Sequence, residues 1–161
     1  MAEKKIYIFG EIGGMWGDDG SMEKDILMQT ADLKPDDSVT VCIDSPGGNA
    51  FIGLAIYNIF SALENEITFK VLGMAASAAS VICCAGKVKI AKNAFMMIHN
   101  PSGWGQGDSK QFKKKSEEIK IVEDQYKDIY STKTGQSEEK ITELMDGEKL
   151  LTAQECVDLG L

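Results

Sequence analysis

Histidine is almost missing from this chain. His99 is the only one in 161 residues, which excludes a His-rich metal site and leaves one side chain suited to proton transfer near neutral pH. Positive charge is in deficit as well. The net charge of -8 lacks the basic footprint of a nucleic-acid binder. Cysteine is sparse and unpaired in pattern: Cys42, Cys83, Cys84 and Cys156 form no C-x-x-C motif, and they read as small buried hydrophobes in a reducing cytoplasm, not as disulfides or zinc ligands. No long apolar run is present. The uncharged stretch 71–86 has sixteen residues with two serines and two glycines, short of the ~20 apolar residues of a membrane span. The start, Met1-Ala2-Glu3-Lys4-Lys5, leads into a strand pattern and not a signal-peptide core. Repeats, linkers and low-complexity tracts are absent too. With 43% hydrophobic and 26% charged residues, the composition is that of one globular domain over 1–161.

Strand-like alternation occurs three times in the first half. It covers Ile6-Tyr7-Ile8-Phe9, then Val39, Val41 and Ile43, then Ile67, Phe69 and Val71. Helical patterns lie between: 23–33, closed by the Lys34-Pro35-Asp36-Asp37 turn, and 49–63, with Ile52, Ile56, Ile59, Phe60 and Leu63 at helical spacing. Such alternation predicts crossover units and a largely parallel α/β sheet. A further helix is expected over 77–84 after a strand ending near Leu72, with short strands over 88–90 and 94–98. The glycine-rich segment 10–21, with Trp16 and Asp18-Asp19, reads as a loop. Asp108 and Gln111 form a capping-box pattern opening a long helix. Its apolar stripe is Phe112, Ile119, Val122, Tyr126 and Ile129, its end Gly135. The charge over 110–120 suggests that its start projects from the body. Ser137 caps a short helix, and Thr152 with Glu155 a last one.

Four pieces of sequence make sense together as a hydrolytic site. Asp44-Ser45-Pro46-Gly47-Gly48-Asn49 follows a strand and opens a helix, and such a turn can aim backbone N–H groups at an oxyanion. Ser77 falls at a helix start on the carboxyl edge of the sheet, where ligands of open α/β folds bind. The Ala78 amide would be a second oxyanion donor beside that of Gly48. His99 ends a strand at the same edge, within reach of Ser77 as general base. An acid is needed to orient the imidazole, and Asp146 and Glu148 occupy a loop between two short helices. Against this stand ordinary roles: a tight turn, a helix-start serine, a core histidine and solvated carboxylates. The G-x-S-x-G elbow of α/β-hydrolases is absent.

Ser45-Pro46-Gly47-Gly48, Gly73-Met74-Ala75-Ala76-Ser77, Met97-Ile98-His99-Asn100-Pro101 and the closing Leu151-Thr152-Ala153-Gln154-Glu155-Cys156-Val157-Asp158-Leu159-Gly160 together resemble the Clp protease proteolytic subunit family, in order, across 6–161. Met97-Ile98-His99-Asn100-Pro101, the short N-terminus and Asp146-Gly147-Glu148-Lys149 resemble its phage and prophage members, the Clp-type head maturation proteases. The resemblance implies an α/β fold of the Clp protease and crotonase type, built of repeated β-β-α crossover units, with a projecting handle over about 103–133. It implies a cytoplasmic serine endopeptidase that needs no metal or organic cofactor and acts on polypeptides. By motif, Ser77 corresponds to the nucleophile, His99 to the general base, and Gly48 and Ala78 to the oxyanion-hole amides. The family's catalytic aspartate falls on Glu148, one methylene longer, with Asp146 as the alternative. Gly47, Gly103, Trp104 and Gly105 correspond to substrate-binding positions. The resemblance further implies a homo-oligomeric ring. It leaves open an unfoldase or capsid protein as partner, because the chain starts at the first strand and stops at Leu161, where members usually continue. Rival readings are a crotonase-type acyl-CoA enzyme, a Ser-Lys peptidase of the signal-peptide-peptidase type using Lys70, Lys87 or Lys89, and a non-catalytic scaffold that kept the fold.

Overall fold

The computed structural model describes residues 2–14 and 21–161. The Trp16 and Asp18-Asp19 part of the expected loop lies outside the described residues. A six-stranded sheet forms the centre. Its strands are β1 (Glu3–Phe9), β2 (Ser38–Ser45), β3 (Ile67–Ala76), β4 (Lys87–Ile90), β5 (Phe95–Met97) and β6 (Leu151–Thr152). The order is β1-β2-β3-β5-β6, with β4 also paired to β3. All pairings are parallel except β5 with β6. The helices are α1 (Ser21–Thr30), α2 (Ala50–Ser61), α3 (Ala78–Cys83), α4 (Ser109–Thr134), α5 (Glu138–Gly147) and α6 (Ala153–Leu159). The alternation of strand and helix yields the expected α/β crossover architecture.

The alternating side chains sort to opposite faces. Ile6, Ile8, Val39, Val41, Ile43, Ile67, Phe69 and Val71 are buried, while Tyr7, Phe9 and Leu72 on the other face are exposed. The buried face forms one apolar cluster with Ile56 and Phe60 of α2 and Val81 and Ile82 of α3. Phe60 meets Phe69 edge-on, with ring centroids 5.4 Å apart, a favoured aromatic geometry. Cys83 and Cys156 are buried and all four cysteines are free thiols.

Three expectations need correction. Asp146 lies not in a loop but in the last turn of α5, with Glu148 as the helix's C-cap. β3 does not end near Leu72 but runs on through Gly73-Met74-Ala75-Ala76. Ten residues let it pair with β4 along its first half and with β5 along its second; small side chains there conceal the alternation. Phe112 is not part of a covered stripe: it is 54% exposed. The first three turns of α4 are solvent-facing, and burial begins at Val122. The helix is about 39 Å long, and its capping box at Asp108 and Gln111 and its left-handed end at Gly135 fall where expected.

Because Phe60 is fully buried against Phe69, Phe60→Ala is expected to lower the unfolding free energy by about 3–5 kcal/mol, measured by chemical denaturation. Phe112→Ala, by contrast, is expected to stay within about 0.5 kcal/mol.

Candidate active site

Three adjacent strand ends meet at one edge. Ser77 follows β3 directly, and its N–H donates to the Met97 carbonyl of β5 at 2.9 Å. That bond carries the β3–β5 pairing one step past Ala76 and Met97 and sets Ser77 beside the chain that leads to His99. On the other side of β5, the short strand β6 pairs antiparallel, Phe95 with Thr152 and Met96 with Leu151. Continued three residues further, that register puts Glu148 opposite His99. The side chains meet accordingly: Glu148 Oε1 lies 3.7 Å from His99 Nδ1. This is an ion-pair distance, longer than a hydrogen bond. Asp146 is engaged elsewhere, accepting from Asn100 Nδ2 at 2.7 Å. The geometry therefore brings Glu148, and not Asp146, to the imidazole.

Ser77 occupies the N-cap position of α3, yet its side chain makes no capping hydrogen bond. Its backbone stands at φ 54°, ψ -129°, a conformation that costs a non-glycine residue on the order of 1–3 kcal/mol. Among the described residues, the only other non-glycine with positive φ is Glu148, at φ 45°. Both strained residues thus belong to the candidate site, the usual location of stored backbone strain.

The glycine turn packs directly against Ser77. A Cβ on Gly47 would lie 2.6 Å from Ser77 Cβ and 2.5 Å from the Ala76 carbonyl, at φ +93°. Gly47 is buried behind the serine instead of presented to a ligand. Gly48, at φ +151°, leaves no room for a side chain, because a Cβ there would collide with the Ile12 carbonyl. Ile12 bridges Gly48 through both neighbours: the Ile12 N–H donates to the Gly47 carbonyl and the Asn49 N–H to the Ile12 carbonyl, each at 2.8 Å. In such a bridge the N–H and carbonyl of Gly48 itself point away from Ile12. Ser45 braces the turn, its hydroxyl donating to the Gly10 carbonyl at 2.6 Å and accepting from the Gly47 N–H at 3.1 Å. Asn49 then caps α2 by accepting from the N–H groups of Phe51 and Ile52.

Gly48, Ser77 and His99 line one cleft of about 530 Å³, together with Gly103 and Trp104. Among the described residues no hydrogen bond joins Ser77 to His99. Trp104 is 95% exposed. Gly105 stands in open space and does not line the cleft. Ala78 is buried, and its N–H is the first of α3, a position without an intrahelical acceptor. Lys70, Lys87 and Lys89, considered as an alternative base, do not line the cleft. They lie on β3 and β4, strands that pair well before the carboxyl edge. Sequence reading missed Ile12, Lys115 and Tyr126 as cleft residues. An isoleucine in a glycine-rich loop and two residues on a long helix carry no local mark of such a role.

Residues 3–161 match the Clp protease family. The chain belongs to the Clp protease family. Relatives include the ATP-dependent Clp protease proteolytic subunit of Chlorella vulgaris, 33% identical over 124 residues, or 75% of this chain and 62% of that protein. The ATP-dependent Clp protease proteolytic subunit 3 of Rhodococcus jostii (strain RHA1) is 30% identical over 163 residues, or 99% of this chain and 79% of that protein. The chain thus spans less than two thirds of the first relative's length. No helix among the described residues is long and apolar enough to cross a membrane.

The packing of this Clp family turn makes a stability test. Gly47→Ala is expected to cost about 2–3 kcal/mol, through a forced clash and positive φ. Gly105→Ala, with nothing within 4 Å, is expected to cost less than about 0.5 kcal/mol. Equal losses by thermal denaturation would contradict the packing described.

Proposed function

We propose that this Clp family member is a serine endopeptidase that hydrolyses peptide bonds through an acyl-enzyme on Ser77, within a single domain over 1–161. The carrying observation is Ser77 itself: an uncapped hydroxyl on a strained turn, on the same cleft as the only histidine. Glu148 holds Nδ1 of His99, leaving Nε2 to take the Ser77 proton as Oγ attacks the scissile carbonyl. The oxyanion is received by the N–H groups of Gly48 and Ala78. His99 returns the proton to the leaving amine, and water releases the acyl group by the reverse sequence. Serine, imidazole, carboxylate and water balance every step, so no cofactor enters. Glu148 also stabilises the imidazolium formed in each half-reaction.

Gly103 and Trp104 line the cleft wall and are the substrate-binding residues in this reading, with Gly47 and Gly105 shaping the turn and the loop. The relatives' names describe proteolytic subunits of an ATP-dependent protease, which supports polypeptide substrates; in this reading the subunits form a homo-oligomeric ring in the cytoplasm. The exposed first half of α4, following the loop from Gly103, is the handle that would join such rings. The Met97-Ile98-His99-Asn100-Pro101 variant supports placement in the phage and prophage branch, with capsid proteins or an unfoldase as partners.

A fluorophosphonate probe is expected to label the wild-type protein at Ser77, identified by peptide mass mapping, and to leave His99→Ala unlabelled. Absence of adduct in the assembled wild type would favour the non-catalytic scaffold. Glu148→Gln is expected to slow labelling about tenfold or more, and Asp146→Asn less than threefold. Reversed losses would reassign the acid.

A further inference from the structure

Three residues past Ser77, a second serine is wholly buried. The hydroxyl of Ser80 donates to the Ser77 carbonyl at 2.7 Å and lies 2.7 Å from the phenol oxygen of Tyr130. Both side chains are fully buried. A hydroxyl has one proton. That of Ser80 is committed to a carbonyl that can only accept, so the Tyr130 O–H donates to Ser80 Oγ. Burial pushes the Tyr130 phenol well up from its usual range, which keeps it a donor. The Ser77 carbonyl also accepts from the N–H groups of Ser80 at 2.9 Å and Val81 at 3.3 Å. A chain of donors thus runs from α4 through α3 to the backbone of Ser77.

The carbonyl of Ser77 and the N–H of Ala78 belong to one planar peptide unit and point in opposite directions. Holding that carbonyl aims the amide, and hydrogen bonds in series polarise one another. We propose that Ser80 and Tyr130 are positioning residues that set the aim and donor strength of the Ala78 N–H while Ser77 is acylated. This rests on the reading of Ser77 as nucleophile. The effect falls where the oxyanion's charge develops, so it is felt in the maximal rate and not in ground-state affinity. A hydroxyl pair serving only to pack α4 on α3 would alter stability and leave the folded protein's rate unchanged.

The test is the kinetics of fluorophosphonate labelling of the full chain, with maximal rate and half-saturating concentration separated and folding checked by thermal denaturation. Ser80→Ala is expected to lower the maximal rate about tenfold, a fraction of the 10²–10³ of a whole oxyanion donor, at unchanged half-saturation. Tyr130→Phe, which keeps the ring and loses only the oxygen, is expected to lower it about threefold. The double variant should match Ser80→Ala within about twofold, because Tyr130 acts through Ser80. Folded Ser80→Ala and Tyr130→Phe proteins that both label within twofold of wild type would overturn the proposal. Should Ser80→Ala fail to fold, Tyr130→Phe decides alone. A wild-type protein unlabelled at Ser77 would instead remove the nucleophile reading, and this proposal with it.

Discussion

The arrangement depends on the peptide backbone at Ser77. A serine at positive φ is unfavourable on its own, and it persists only where its surroundings fix both of its neighbouring peptide units. Here the N–H is tied to Met97 and the carbonyl is held by three donors from α3. Gly47 closes against the Cβ from the other side. The hydroxyl is thereby kept out of the capping role that a serine at a helix start normally takes, and is directed to the cleft instead. If the backbone relaxed to an extended N-cap conformation, the side chain would be free to bond α3, and the arrangement proposed for attack would be lost.

The rest of the site follows from strand order. β5 stands between β3 and β6, so the chain after β5 is flanked by the residue that follows β3 and by the one three positions before β6. Those residues are Ser77, His99 and Glu148. Convergence of side chains far apart in the chain thus needs no loop to reach across the molecule; it is a consequence of two parallel pairs and one antiparallel pair. Lys149, next to Glu148, is anchored to Glu155, whose carboxyl that lysine, with Thr152, lowers to about 2. The segment carrying Glu148 is therefore tied down from its far side.

Much of the scaffold was legible from residue pattern. Alternation at Ile6, Val39 and Ile67 marks the central strands, and the capping boxes at Asp108 and Thr152 mark helix starts because each satisfies backbone donors locally. The strand-end positions of Ser77, His99 and the glycine turn, proposed as nucleophile, base and oxyanion turn, were legible in the residue pattern. What escaped depends on partners distant in sequence. The two-residue β6 has no pattern of its own, yet its register puts Glu148, and not Asp146, opposite His99. The bridge between Ile12 and Gly48 arises from tertiary contact alone. Phe112 shows the same limit, since helical spacing tells which residues share a face but not whether anything covers it. The extension of β3 over Gly73 to Ala76 was hidden because small residues carry no polarity contrast.

The central claim is that Ser77, His99 and two backbone amides converge on one reacting atom. The most direct measurement is a crystal structure of the assembled protein after reaction with a fluorophosphonate. The account predicts phosphorus bonded to Ser77 Oγ, one phosphonyl oxygen at about 2.7–3.1 Å from the nitrogens of both Gly48 and Ala78, and His99 Nε2 within hydrogen-bonding reach of the adduct. An adduct on another residue, or a phosphonyl oxygen turned away from both amides with the imidazole facing solvent, would contradict it.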